Sequence, residues 1–337
     1  MMVGRGAKAP LLLEGAMKPE AEASGYPLVQ RVVGIDWSGR VDAAGQRRHI
    51  WAGVWTEDSR GKVSVRLEAG RTRAEIAEWL IEMAGETPRM VVGFDFCFSF
   101  PAWFVREEHG MGSAPEFWRR VVEEGHAERW LMRGAEDRRF WGKPGVGHRG
   151  ARPAEFSGEH LHRMLRATDI DCKIVSHIPE AERQARVRGI TPKSVFQVGG
   201  AGSVGTASLR GFAVLLRLRE TGFRVWPFDA PALVGKDARP LVVEMYTRLN
   251  TGAVRKSNAE ARVAYLLKKR REDVTYAALS RGVMQKARGG EDAFDALVST
   301  MVMAERRETF ARLPRPTDPL CGIEGWTWAP EVWGSRG

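Results

Sequence analysis

Hydrophobic and polar positions follow two periods along this chain. Short apolar runs closed by an acid occur at Val32-Val33-Gly34-Ile35-Asp36 and Met90-Val91-Val92-Gly93-Phe94-Asp95. Such runs read as buried strands that end in a turn. Residues 49–55 and 63–68 alternate with period two, as strands do. Gly45 and Gly61 supply turn signals between these segments, so the first three strands are predicted to form an antiparallel meander. Over 72–84 the period changes: Ile76, Trp79, Leu80 and Met83 share one helical face, with Thr72 as N-cap. Further strands are predicted at 194–198, 223–228 and 241–246, and helices at 206–220, 257–271, 272–281 and 291–307. Strands interleaved with helices argue for an α/β domain, assigned to residues 31–312.

Three stretches fall outside that pattern. Residues 96–192 are rich in Arg, Gly, His and Trp and only weakly periodic. They predict a basic, loop-rich insertion with short helices near 115–132 and 179–188, the kind of segment that often grips a substrate. Residues 1–30 and 313–337 read as tails. The run Leu11-Leu12-Leu13 is broken by Glu14 and is shorter than the roughly 7–15 apolar residues of a secretory signal. The first segment is therefore read as a disordered tail, with Met17 as an alternative start.

Composition narrows the class. Hydrophobic residues make up 43% of the 337, enough for a packed core. No stretch approaches the roughly 18 apolar residues of a membrane helix. Cys97, Cys172 and Cys321 are too scattered for a zinc knuckle or a disulfide framework, which fits a reducing cytoplasm. The net charge of +10 favours an anionic partner, nucleic acid first. A GC-rich coding sequence would produce the same arginine excess, so charge alone does not decide the partner.

The acids change the picture more. Asp36 and Asp95 follow strand cores, and if those strands are neighbours both acids emerge at one sheet edge. Asp292 and Asp295 lie three apart and so share a helix face, close to the apolar positions Val298 and Val302. Glu244 is a further strand acid. A buried carboxylate without a cation or donor is costly, so converging acids either bind metal or raise a pKa. Such a set suits Mg2+ or Mn2+. Two such ions about 3.5–4 Å apart serve phosphodiester hydrolysis. Each acid also has a structural reading: Asp36 or Asp95 capping a turn, Asp292 facing its helix dipole, Glu244 paired with an arginine.

Taken together, the segments resemble the family catalogued as domain of unknown function 429. The carrying stretches are Val33-Gly34-Ile35-Asp36-Trp37-Ser38-Gly39, Gly93-Phe94-Asp95-Phe96, Pro192-Lys193-Ser194-Val195-Phe196-Gln197, the 199–209 loop, Val243-Glu244-Met245-Tyr246 and Asp292-Ala293-Phe294-Asp295-Ala296-Leu297. The last also looks like the D-A-x-D-A-L helix of Holliday-junction resolvases. The resemblance implies a ribonuclease H-like fold, a mixed sheet flanked by helices, and metal-dependent nuclease activity. It implies Asp36, Asp95, Asp292 and Asp295 as metal ligands, with Glu244 an additional catalytic candidate. The chain departs from studied nucleases in its central insertion and in Asp95, where a resolvase has Glu.

A rival reading lies in Gly200-Ala201-Gly202-Ser203-Val204-Gly205, which spells G-x-G-x-x-G between a predicted strand and helix, with Asp229 at the end of the next strand. It would make the protein a nucleotide-binding enzyme, dinucleotide-dependent or an ATPase. Alternatively Gly202, Ser203, Thr206 and the helix amides cradle a substrate phosphate, or the loop is simply a tight turn. Ser38, beside Asp36, and Lys143, His148 and Arg149 in the insertion complete the substrate-binding candidates. Trp130 and Trp141 are candidates for base stacking. A third reading is a non-catalytic nucleic-acid-binding protein.

Overall fold

In a computed structural model of the chain, residues 29–132, 137, 139–142, 165–166, 168, 193–200 and 203–329 are described. Strands β1 (Arg31–Asp36), β2 (Trp51–Glu57) and β3 (Val63–Glu68) pair antiparallel, as the meander predicts. Strand β4 (Met90–Phe94) adds to β1 in parallel, followed by β6 (Leu241–Met245) and β5 (Arg224–Trp226). A two-residue strand β7 (Thr327–Trp328) pairs with the end of β6. The order β3-β2-β1-β4-β6-β5 makes a mixed sheet. Every residue of β4 and β6 is buried, which is why both read as unbroken apolar runs rather than alternating ones.

Helices cover both faces. Val33, Ile35, Val92 and Phe94 pack with α2 (Arg73–Glu86), α3 (Ala114–Glu123), α4 (His126–Leu131) and α5 (Val204–Glu220). Val32, Trp55, Val91 and Val243 face α7 (Ala259–Glu272), α8 (Arg281–Gly289) and α9 (Glu291–Glu305). Shorter helices are α1 (Ala43–His49), α6 (Thr247–Thr251) and α10 (Cys321–Glu324). The predicted N-cap of α2 is present as a capping box between Thr72 and Glu75. No helix among the described residues is long and apolar enough to cross a membrane.

Several expectations are corrected. Gly45 is not a strand-to-strand turn. It sits inside α1, whose Asp42 cap accepts from the Gly45 amide at 2.6 Å, and whose last turn carries Arg47, Arg48 and His49 at the negative dipole end. The start of the presumed insertion is core. Phe96, Phe98, Phe100, Phe104, Phe117 and Trp118 are all buried, and Phe100 packs on Phe104, Phe117 and Phe196 with centroids 5.2–5.8 Å apart. Its helical period is masked because Trp103–Glu108 forms a π-helical turn. Trp130 and Trp141 are buried in this aromatic layer, with Trp130 stacked on Phe140 at 5.0 Å, so neither is free to stack on a base. Residues 194–198 form no sheet strand; Gln197 makes an isolated bridge with Trp141. The 272–281 helix is a 3-10 turn, Val274–Ala278, followed by α8. Part of the predicted C-terminal tail is structural, with Trp328 and Glu324 buried. Residues 1–28 of the expected N-terminal tail over 1–30, and the helix near 179–188, lie outside the described residues, while Val29 at the end of that tail is buried in the core.

One device positions the site. Gly53, Gly34 and Gly93 stand in register across β2, β1 and β4, and α9 lies along this glycine track. A Cβ on Gly34 would come within 2.6 Å of Thr300 Oγ1, and one on Gly93 within 2.6 Å of Met303 Sδ. Thr300 Oγ1 accepts from the Gly34 amide at 3.1 Å and donates to the Ala296 carbonyl at 2.7 Å. The bare backbone allows the helix to approach closely, and its first turn reaches the edge where β1 and β4 end.

Candidate metal centre

Asp36 and Asp95 close adjacent parallel strands, and the Asp95 amide donates to the Ile35 carbonyl at 3.1 Å. Asp292 and Asp295 arrive from the first turns of α9. The structure thus brings together all four acids expected as ligands. Asp36 and Asp95 are half-buried, whereas Asp295 is only 5% exposed. Burial, then the charges of Asp95, Asp295 and Asp292, hold the Asp36 carboxyl well above the usual carboxylate range. Burial and Asp295 push Asp95 up to about 6, against hydrogen bonds from Thr247 and the charge of Lys256. Burial likewise raises Asp295, opposed by Lys256 and by the nearby Thr247 hydroxyl.

Three partners of these acids escaped the sequence reading. Thr247, at the start of α6, donates to Asp95 through its amide at 3.2 Å and its hydroxyl at 3.1 Å. His49 Nδ1 lies 2.8 Å from Asp292 Oδ2. The Lys256 ammonium pairs with Asp295 Oδ2. All three lie at helix ends or in a loop, where periodicity carries no signal. Compensation is still incomplete. Asp295 Oδ1 is buried without a hydrogen-bond partner, and among the described residues no hydrogen bond to the Asp36 carboxylate is found. As placed, no three Asp, Glu, His or Cys side chains among the described residues form a ready chelate. The donor set nevertheless fits a hard, oxygen-seeking cation, because it is all carboxylate and leaves oxygens bare in a shielded place.

Glu244 is a correction. It points into a different network: Arg166 pairs with both carboxylate oxygens, the Phe98 amide donates at 2.7 Å and Thr327 Oγ1 at 2.7 Å. This saturated acid is a structural partner, as the arginine-pair alternative holds.

The phosphate-loop residues are partly brought in. The loop after β1 packs on the start of α5: a Cβ at Gly39 would lie 2.7 Å from Thr206 Cγ2, and Trp37 Nε1 donates to Ala207 O at 3.2 Å. Arg73 holds the Ser38 and Arg40 carbonyls, and Arg210 holds that of Gly39. Burial, then the nearby Arg210 charge, lowers Arg73 to about 10. Ser38 therefore sits on a braced loop beside Asp36. Thr206 is committed, its hydroxyl donating to Val198 O at 2.7 Å; Ser203 precedes α5 without a capping bond from its side chain. Gly205 is explained by packing, since a Cβ there would overlap the Val195 carbonyl. With no sheet strand before the loop, and with Asp229 taken by Arg219 at 3.0 Å and the Val225 amide at 3.1 Å, the dinucleotide fingerprint loses its context. Lys143, His148, Arg149 and Gly202 lie outside the described residues.

A groove of about 950 Å3 opens elsewhere, at the β5 edge, lined by Arg119, Arg219, Arg224 and Arg315 and by none of the predicted site residues. No protein-family model matches the chain, and no significant match was found among curated proteins or solved structures.

Proposed function

We propose that this protein is a ribonuclease H-like, metal-dependent nuclease that hydrolyses nucleic-acid phosphodiester bonds at the Asp36 centre. The carrying observation is convergence without compensation: acids from β1, β4 and α9 meet at one sheet edge, and their oxygens are left partly unpaired. That arrangement follows the resemblance to domain of unknown function 429 and to resolvases, in which the first strand, the fourth strand and this helix supply the ligands. Asp36, Asp95, Asp292 and Asp295 would hold Mg2+ or Mn2+. Bound there, the metal supplies Lewis-acid activation of water and neutralises charge on the phosphodiester.

The remaining work falls to the chain. Thr247 orients Asp95 and His49 orients Asp292, as outer partners of metal-ligating groups do. Arg40, Arg48 and Arg255 are exposed on segments carrying or flanking Ser38, His49 and Lys256, placed to meet phosphates. The net charge of +10 agrees with a polyanionic substrate.

The test is Mn2+ titration by calorimetry into wild type and Asp36→Asn/Asp292→Asn, paired with cleavage of labelled RNA and DNA. Wild type should bind and cleave. The variant should stay folded yet lose turnover by on the order of a hundredfold or more, beyond what loss of an outer partner gives. Salt-dependent binding with no metal effect would instead mean a non-catalytic nucleic-acid binder.

A further inference from the structure

We propose that Lys256 is the resident counter-cation of the carboxylate centre, and that a divalent cation enters by displacing its ammonium. This inference rests on the metal reading above. Within the cluster Lys256 is the cation paired with Asp295, and its charge also reaches Asp36 and Asp95. Carboxylates this close repel one another, and a neighbouring positive charge or a bound proton relieves that repulsion. A lysine relieves it incompletely. It carries one charge and pairs with Asp295 Oδ2, while Oδ1 stays buried and unbonded. A divalent ion takes six or more oxygen ligands and would satisfy what the ammonium leaves open.

The local architecture suits displacement by the side chain alone. The Lys256 backbone is fixed: its carbonyl accepts from Arg262, which also binds the Arg288 carbonyl, and its amide donates to Val254 O at 3.0 Å. Two residues on, Asn258 caps α7 by accepting from the Glu260 and Ala261 amides at 2.8 and 3.0 Å. The flexible four-carbon stem is the part free to move. The Lys256 side chain is 19% exposed against 8% for Asp295, so an outward path exists on the lysine side of the pair.

The experiment is Mn2+ titration into the full chain as wild type, Lys256→Met and Lys256→Gln, with folding checked by circular dichroism. Both variants should bind Mn2+ more tightly, on the order of tenfold, which corresponds to about 1.4 kcal/mol. Adding Asp295→Asn to Lys256→Met should abolish the gain. Unchanged or weaker binding in the variants, with normal binding in wild type, overturns the displacement and leaves the metal reading standing. No Mn2+ binding by any folded form overturns both. A readout free of substitutions guards against misfolding: acetic anhydride labelling of wild type, mapped by mass spectrometry. Modification of Lys256 should rise several-fold when Mn2+ is added, and an unchanged level counts against displacement.

Discussion

Two groups of acids, one around Glu244 in β6 and one where β1 and β4 end at Asp36 and Asp95, are treated in opposite ways. Around Glu244, each carboxylate oxygen has partners: Arg166, Thr327 and the Phe98 amide. Glu324 beside it accepts from the Ala102 amide at 2.7 Å and the Thr168 amide at 3.0 Å. Around Asp36, four acids share one lysine, one histidine and one threonine, and several oxygens remain bare. Saturated acids fasten chain segments together. Acids kept in an unfavourable state point to a role that outweighs their effect on stability.

The largest effect should come from breaking the saturated group. Arg166→Met strands Glu244 with a buried charge and should lower unfolding free energy by about 3–5 kcal/mol. Arg166→Met/Glu244→Leu should recover most of that loss, because the pair is removed together. Denaturant unfolding reads both. A loss below about 1 kcal/mol in the single variant, the range of an exposed pair, would mean the network is not a fastener.

A smaller effect should come from the glycine track. Gly53→Ala pushes a methyl group into Thr300 and the Ala296 carbonyl, and should cost about 1–3 kcal/mol as overpacking does. Since α9 also carries Asp292 and Asp295, the same change should weaken Mn2+ binding. Gly85→Ala in α2, where an added Cβ meets nothing within 4 Å, should instead stabilise by up to about 1 kcal/mol through helix propensity. Mn2+ binding retained in Gly53→Ala would separate the helix position from the centre.

The comparison also marks what a sequence can carry. The four aspartates are legible because each adjoins a strong apolar element: a buried run before Asp36 and Asp95, a long apolar helix around Asp292 and Asp295. The meander and the α2 cap were legible for the same reason. Glu244 also follows an apolar run, and the sequence leaves it open between catalytic candidate and arginine partner, since Arg166 is 78 residues away and no local signal reports such a pairing. Lys256, His49 and Thr247 stand at loops and helix ends, and the fold alone brings them to the acids. The aromatic layer is legible over 114–131, where α3 buries Phe117, Trp118 and Val121 on one face, but not at 96–108, where the Trp103–Glu108 turn is π-helical and gives no α-helical period.

The smallest effect is the sharpest discriminator, because it has an unusual sign. In metal-free protein the folded state holds Asp36 and Asp95 protons more tightly than the unfolded chain, with Asp95 near 6. Between the unfolded value of about 3.9 and the raised folded value, the native state therefore binds the extra proton. Stability from these groups is present at low pH and lost as pH rises. Glu75, lowered to about 2 mainly by Arg47, acts in the opposite direction, in a window that closes near its unfolded value of 4.5. Asp36→Asn deletes the unfavourable ionised form and forfeits no hydrogen bond seen among the described residues. It should raise the unfolding temperature of metal-free protein at pH 7.5 and leave it almost unchanged at pH 4. Excess Mn2+ should reverse the ranking, because ligand binding stabilises only the chain that retains the site. Thermal unfolding at the two pH values, with and without Mn2+, measures all of this. If Asp36→Asn were instead destabilising at pH 7.5, the Asp36 carboxylate would be as well compensated as Glu244, and the distinction between the two groups of acids would fail.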